Sequence, residues 1–330
     1  MSWRFALKNI LLSLARTALL LAAAFAPAAF ASDVYPSKPI RLFVGFPPGG
    51  PADIAARIIA QGLQDILKQN VVVENRTGAG GNIATQLVAQ TPADGYTLLA
   101  ATASFTLNPL ISTNAGYDAL KDFVPVALVA TQANALAVSA GVGAKTVEEL
   151  QGLIKTQKMA VATSGVGTSS DLSATNLFKV LWKSDVTMVP YRGAGPAGVA
   201  LASGEPQIGF MTITGVLPLH QQGKVRILAV VNDKRLPGLP GVPTMAELGY
   251  QQLTPSWTAV FAPAGTPPAI VKRLNDATNA LMGTPEFKEK FAQQAMLAAD
   301  SRTPAQLVEY LRSEVQTWER LVKSAGVSIK

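Results

Sequence analysis

The chain repeats one device along its length: a short apolar run, a loop of glycines and small polar residues, then apolar positions at helical spacing. In the first copy Ile40 to Phe46 breaks into Pro47-Pro48-Gly49-Gly50. Ala55, Ile58, Ile59, Leu63, Ile66 and Leu67 follow at the three-and-four spacing of a buried helical face. In the second, Val71 to Glu74 runs into Asn75-Arg76-Thr77-Gly78-Ala79-Gly80-Gly81-Asn82, ahead of Ile83, Leu87 and Val88. Thr97 to Thr102, Met159 to Thr163 and Val186 to Tyr191 each end in a loop of the same kind. Strands that alternate with helices in this way favour an α/β fold with largely parallel sheets. In such sheets the carboxyl ends of neighbouring strands face one crevice, so the loops converge there.

The loops suit an anion. Gly49 and Gly50 let a ligand approach the main chain, and the first-turn amides and dipole of the helix add positive potential. Pro48, Gly49, Gly50 and Asp53 in the first loop, and Gly78, Ala79, Gly80, Gly81 and Asn82 in the second, are therefore candidate ligand contacts. Ser104, closing the third, offers its hydroxyl and amide, and Gly193 belongs to a further carboxylate-facing loop. The alternative for each loop is a plain strand-to-helix connection, and for Asp53 an acid placed for the helix dipole. Arg76 and Arg192 are the nearby cations. Each either pairs with a carboxylate or lies along the rim, and the rim is favoured because main-chain amides alone can satisfy an anion.

Composition removes several classes of function. At 48% hydrophobic, 330 residues suffice for two ordinary domains with real cores. Three of the 28 basic residues, Arg4, Lys8 and Arg16, precede residue 32; the others are scattered and only slightly outnumber the 21 acidic ones. A nucleic-acid surface is therefore not expected. The absence of cysteine excludes disulfides and thiolate metal sites. The lone histidine, His220, lies in the turn-like Leu217-Pro218-Leu219-His220-Gln221-Gln222-Gly223 and reads as a surface cap. Neither a Gly-x-Ser-x-Gly elbow nor a Gly-x4-Gly-Lys phosphate loop is present. Gly193, Gly195 and Gly198 spell a dinucleotide fingerprint, but the next strand, Gln207 to Thr212, ends without the required acidic residue, and Glu205 comes too early. No enzyme activity and no cofactor or metal are expected; a hydrolase or dehydratase is the enzymatic alternative.

Arg4 and Lys8 precede an apolar stretch, Thr17 to Phe25, and Ala29-Phe30-Ala31 places small residues where a signal peptidase reads them. Residues 1–31 are expected to be a signal peptide cleaved after Ala31, leaving the mature chain in the periplasm. An uncleaved membrane anchor is the alternative.

Taken together, Pro48-Gly49-Gly50 with Asp53 and Arg57, Glu74-Asn75-Arg76 with Gly78-Ala79-Gly80-Gly81-Asn82-Ile83, and Asp94-Gly95-Tyr96-Thr97-Leu98-Leu99 resemble the Bug family. Its members are the extracytoplasmic substrate-binding receptors of tripartite tricarboxylate transporters. Val189-Pro190-Tyr191-Arg192-Gly193, Arg226-Ile227-Leu228-Ala229-Val230, Pro243-Thr244 and Ala262-Pro263-Ala264-Gly265-Thr266-Pro267 keep the family order, from about Tyr35 to the C-terminus. The resemblance implies a type II periplasmic binding protein: two doubly wound α/β domains around a ligand cleft, joined by a two-crossing hinge. Domain 1 would comprise residues 32–132 and 257–330, and domain 2 residues 133–256. The resemblance also implies ligand contacts at Ser164, Gly165, Gly167 and Thr168, leaving Ser169 or Ser170 as helix caps; Thr212, and Arg192 as the nearby cation, complete the candidate contacts. Asp171 stands where the family often has His, and Thr212 where it commonly has Asp. A small organic carboxylate ligand, delivery to the membrane components of the transporter and a monomeric receptor are implied. A periplasmic sensor for a two-component system is the alternative role.

Val124 to Ala130 and Ala135 to Ser139, interrupted by Thr131-Gln132-Ala133-Asn134, mark the expected first crossing between domains, and Trp257 to Ala262 the return. Thr266-Pro267, Thr284-Pro285 and Thr303-Pro304 each place a capping Thr before a Pro that opens a helix. Leu307, Leu311, Val315, Trp318 and Val322 stripe the last of these helices, which are expected to pack on domain 1.

Overall fold

The apolar run at Ile40 forms a strand because both of its faces are covered: Ile40, Leu42, Phe43 and Val44 are completely buried. The computed structural model describes residues 35–325, Asp233 and Gln252 apart, together with Trp3. The expected signal peptide lies outside the described residues. Met1–Ser37 and Lys38–Lys330 form separate units, and the architecture below is that of the second.

From Lys38 the chain forms β1 (Ile40–Val44), α1 (Pro51–Leu67), β2 (Val71–Asn75), α2 (Asn82–Ala89), β3 (Thr97–Thr102), α3 (Ser104–Ile111) and β4 (Phe123–Gln132). It then builds β5 (Asn134–Ser139), α4 (Val147–Thr156), β6 (Ala160–Thr163), α5 (Ser169–Thr175), β7 (Thr187–Pro190), α6 (Ala194–Ser203), β8 (Ile208–Thr212), α7 (Leu217–Gln221) and β9 (Val225–Val231). It closes with β10 (Ser256–Pro263), α8 (Pro268–Gly283), α9 (Pro285–Ala292), β11 (Met296–Ala298) and α10 (Pro304–Ala325). One sheet has the order β11-β4-β10-β3-β1-β2 and the other β7-β6-β8-β5-β9.

Both sheets are mixed where largely parallel sheets were expected. β1 pairs in parallel with β2 and β3, and β6 with β7 and β8, so the loops leaving these strands gather at one edge of each sheet. β4, β5 and β10 carry the chain between the sheets and pair antiparallel. The first crossing falls inside the expected interruption but is narrower than it: Ala133 alone separates β4 from β5. The return also differs, because Trp257–Ala262 is a strand already paired on both sides, with Ser256 opposite Gln132. The chain therefore enters the first sheet before Trp257.

Side-chain burial follows the expected periodicity with local departures. On α1 the small residues Ala52, Ala56 and Ala60 join Ala55, Ile59, Leu63 and Leu67 inside, whereas Ile66 is exposed. After α5 a π-helical turn over Asn176–Leu181 rotates the face, so Phe178 is buried while Leu181 points outward. Thr284 and Thr303 cap their helices by accepting from the amides of Phe287 and Gln306. Thr266 instead donates to Pro263 O, and α8 begins at Pro268. His220 is half-buried rather than a surface cap: its Nδ1 accepts from the Ile227 amide, tying α7 to β9.

Phe105, Phe123, Trp257, Phe261, Leu307, Leu311 and Trp318 share one core, with the Phe105 and Phe261 rings 4.3 Å apart. Leu172 of α5 belongs to the same cluster, so α10 reaches the helix layer of the second sheet as well as the first. Leu136, Val138, Leu150, Phe178 and Phe210 centre the core of the second sheet.

Candidate functional site

The ends of seven strands, β1, β3, β4, β6, β7, β8 and β10, border a cleft between the sheets. Its inner chamber, of about 100 Å³, is lined by the loop from Phe46 to Ala52, by Thr102 and Ser104, by Ser164 and Thr168–Ser170, by Arg192–Pro196, and by Gln132, Thr212 and Ser256. An outer chamber of about 480 Å³ adds Thr77–Gly81, Gly165, Val166 and Tyr191. Phe46, Pro47, Ser164, Arg192 and Gly193 line both chambers.

The first loop is held by Asp53, which is 2% exposed. Its Oδ2 accepts from the Gly49 amide (2.9 Å) and Arg57 Nε (2.9 Å), and its Oδ1 from Asn75 Nδ2 (2.8 Å). Asn75 Nδ2 also donates to Phe46 O, fastening the loop to the end of β2. Burial alone would raise the Asp53 pKa, but the bonds from Arg57, Gly49 and Asn75 hold it below the usual carboxylate range. The amides of Gly49 and Gly50 do not face the cleft as anion donors: Gly50 N donates to Pro47 O, and Gly49 N to Asp53. The first-turn donors left on α1 are those of Ala52 and Asp53, since Pro51 has none. On α6 the corresponding donors are Ala194 and Gly195, because the Gly193 amide donates to Ser164 O.

The second loop runs through Gly78, Ala79, Gly80 and Gly81, all at positive φ. Gly80 is required by contact as well as by conformation: a Cβ there would lie 3.0 Å from Val166 O. These residues border the outer chamber only. Asn82 borders neither chamber; its Oδ1 accepts from Asn108 Nδ2 at 2.7 Å.

In the second sheet Thr168 both lines the inner chamber and caps α5, the role expected of Ser169 or Ser170. Thr168 accepts from the Asp171 amide and donates to Gly165 O (2.7 Å), and Ser169 and Ser170 line the inner chamber beside it. Gly167 lies outside both chambers, and a Cβ there would clash with Asn108 Oδ1. Asp171 accepts from Thr163 Oγ1 at 2.7 Å, and burial raises its pKa. Arg192 is exposed at the edge of both chambers, and Arg76, paired with Glu74, borders neither.

Of the residues singled out in the sequence, the structure thus gathers Pro48, Gly49, Gly50, Ser104, Ser164, Thr168, Arg192, Gly193 and Thr212 around the inner chamber. Asp53, Asn82 and Gly167 brace loops from outside it. Gln132, read only as part of the crossing, and Ser256, just before the expected return, were not singled out; they are the last residue of β4 and the first of β10. They face each other across β4 and β10 where the chain crosses between sheets. Three buried atoms of lining residues have no hydrogen-bond partner: Gln132 Oε1, Ser164 Oγ and Thr212 Oγ1. Buried polar atoms are ordinarily satisfied, so these three, out of eleven such atoms among the described residues, are candidate ligand contacts.

A family model described as "Tripartite tricarboxylate transporter family receptor" matches residues 55–327. The chain is 36% identical over 327 residues to Protein BugT of Bordetella pertussis, covering 98% of this chain and 100% of that protein. A solved R. palustris protein with adipate superimposes with a TM-score of 0.85 at 32% identity, covering 90% of this chain and 100% of its own. MatC from Rhodopseudomonas palustris with bound malate gives 0.79 at 31% identity, covering 87% and 100%.

Proposed function

The chain belongs to the tripartite tricarboxylate transporter receptor family, and from that premise we propose that its cleft captures a small organic carboxylate and delivers it to the membrane components of such a transporter. The protein is a receptor, not an enzyme. The observation that carries the ligand assignment is the meeting of two helix starts, α1 and α6, at one small chamber with Arg192 at its edge. A carboxylate there receives main-chain donors from both sheets and the positive ends of two dipoles. Relatives described with adipate and malate favour the same ligand class.

The remaining assignments are part of this reading. The mature receptor begins at Ser32 after cleavage behind Ala31, resides in the periplasm and acts as a monomer. Its two sheet-bearing parts, residues 32–132 with 257–330 and residues 133–256, act as domains that close on the ligand. Ala52, Asp53, Ala194 and Gly195 contribute amides, Ser104, Ser164 and Thr212 hydroxyls, and Arg192 a rim cation.

Thermal melting of the chain from Ser32 onward, against mono-, di- and tricarboxylates with amino acids and nucleotides as controls, tests the proposal. A ligand bound only by the folded state adds about 2.7 kcal/mol at a hundredfold excess over Kd. The expected result is a raised Tm with one group of carboxylates and no consumption of ligand. A shift with nucleotides alone, or turnover of the acid, would overturn it.

A further inference from the structure

The inner chamber is asymmetric, and its asymmetry specifies the far end of the ligand. At the crossing between sheets the lining side chains are neutral: Gln132, Thr212, Ser256, Thr102 and Ser104. Arg192, exposed and on the loop after β7, is the one charged side chain among the residues that line the chamber. Gln132 is 2% exposed and fixed by its own amide, Nε2 donating to Thr258 Oγ1 at 3.0 Å. Its Oε1 is left without a donor. A carbonyl oxygen can only accept, so the group that satisfies it must carry an N–H or O–H.

A second carboxylate placed here would set an anion against that oxygen with no cation to compensate, and an ammonium would be buried without a counter-charge. Resting on the carboxylate-receptor reading, we infer that the preferred ligand is a carboxylic acid whose other end is uncharged and donates a hydrogen bond, as a primary amide does. The amide N–H completes Gln132 Oε1, and the amide oxygen accepts from the Thr212 or Ser164 hydroxyl, both likewise unpartnered.

Matched acids isolate this end. Succinate, succinamate and 4-aminobutanoate, with the one-carbon-longer glutarate, glutaramate and 5-aminopentanoate, differ only in a terminal carboxylate, amide or ammonium. Titration calorimetry of the protein from Ser32 onward is expected to give a Kd for the amide at least tenfold below those of both partners in at least one series. In Gln132→Met, of similar volume but without the acceptor, that preference should fall below threefold while a folded melting transition remains. Equal or tighter binding of the dicarboxylate or the ammonium acid by the wild type would overturn the inference and leave the carboxylate reading intact. An amide preference unchanged in Gln132→Met would also overturn it. Absence of binding by every carboxylate, in these series and in the wider melting panel, would remove the parent reading and this one together.

Discussion

At the scale of single residues, the Asp53 carboxylate shows how a side chain can shape the cleft without itself touching a ligand. Its carboxylate gathers Gly49, Arg57 and Asn75, and through them fixes the loop whose helix start faces the chamber. Asp53→Asn keeps the shape but turns a donor toward donors, and is expected to lower stability by about 2 kcal/mol in melting at neutral pH. Because the folded-state pKa is depressed, this contribution is present above the unfolded value near pH 4 and disappears as pH falls through the folded one. The deficit of the variant should therefore shrink in acid; a constant deficit from pH 7 to pH 3 would contradict the assignment. The sequence made Asp53 conspicuous but left its role open, since Asn75 lies 22 positions away and the convergence is tertiary. For the same reason Gly49 and Gly50 were legible as a loop, but not the internal bonds that occupy their amides.

Among the elements, β1, β3 and β8 could be placed from their apolar runs, and three-residue β11 could not, being too short to show a period. Gln132 and Ser256 were hidden because a polar residue at the end of a strand gives no signal of a site until the pairing of β4 with β10 is known. The C-terminal helix was visible from its stripe, yet its reach to Leu172 depends on how the sheets are placed. This helix also carries Glu314, whose Oε2 accepts from Trp257 Nε1 at 2.6 Å on β10. Burial raises the Glu314 pKa; the bond from Trp257 and the charge of Arg302 only partly oppose it. A raised carboxyl pKa gives stability that is complete below the unfolded value, near pH 4.3, and is lost as pH rises through the folded value. Glu314→Gln retains an acceptor for the indole and removes that loss. Its melting temperature should match the wild type near pH 4 and exceed it at neutral pH, whereas a lower value at neutral pH would contradict this account.

For the whole molecule, the two crossings lie side by side: Ala133 between β4 and β5, and the strand starting at Ser256 opposite Gln132. In the closing motion proposed above, adjacent crossings let the sheets bend about one line. The radius of gyration from small-angle scattering is expected to fall when a tight carboxylate is added, and equal values with and without it would contradict closure. Loop convergence itself was legible, because parallel strands gather their carboxyl ends at one edge. The mixed sheets were not, since the antiparallel strands arise from the crossings rather than from any local pattern. The central claim is that the carboxylate sits in the inner chamber. Titration calorimetry of the strongest carboxylate from the melting panel, on the wild type and on Thr212→Leu, tests this most directly. The larger side chain removes the hydroxyl and takes up part of a chamber of about 100 Å³. At least a tenfold rise in Kd with a retained melting transition is predicted; an unchanged Kd in the folded variant would place the ligand elsewhere.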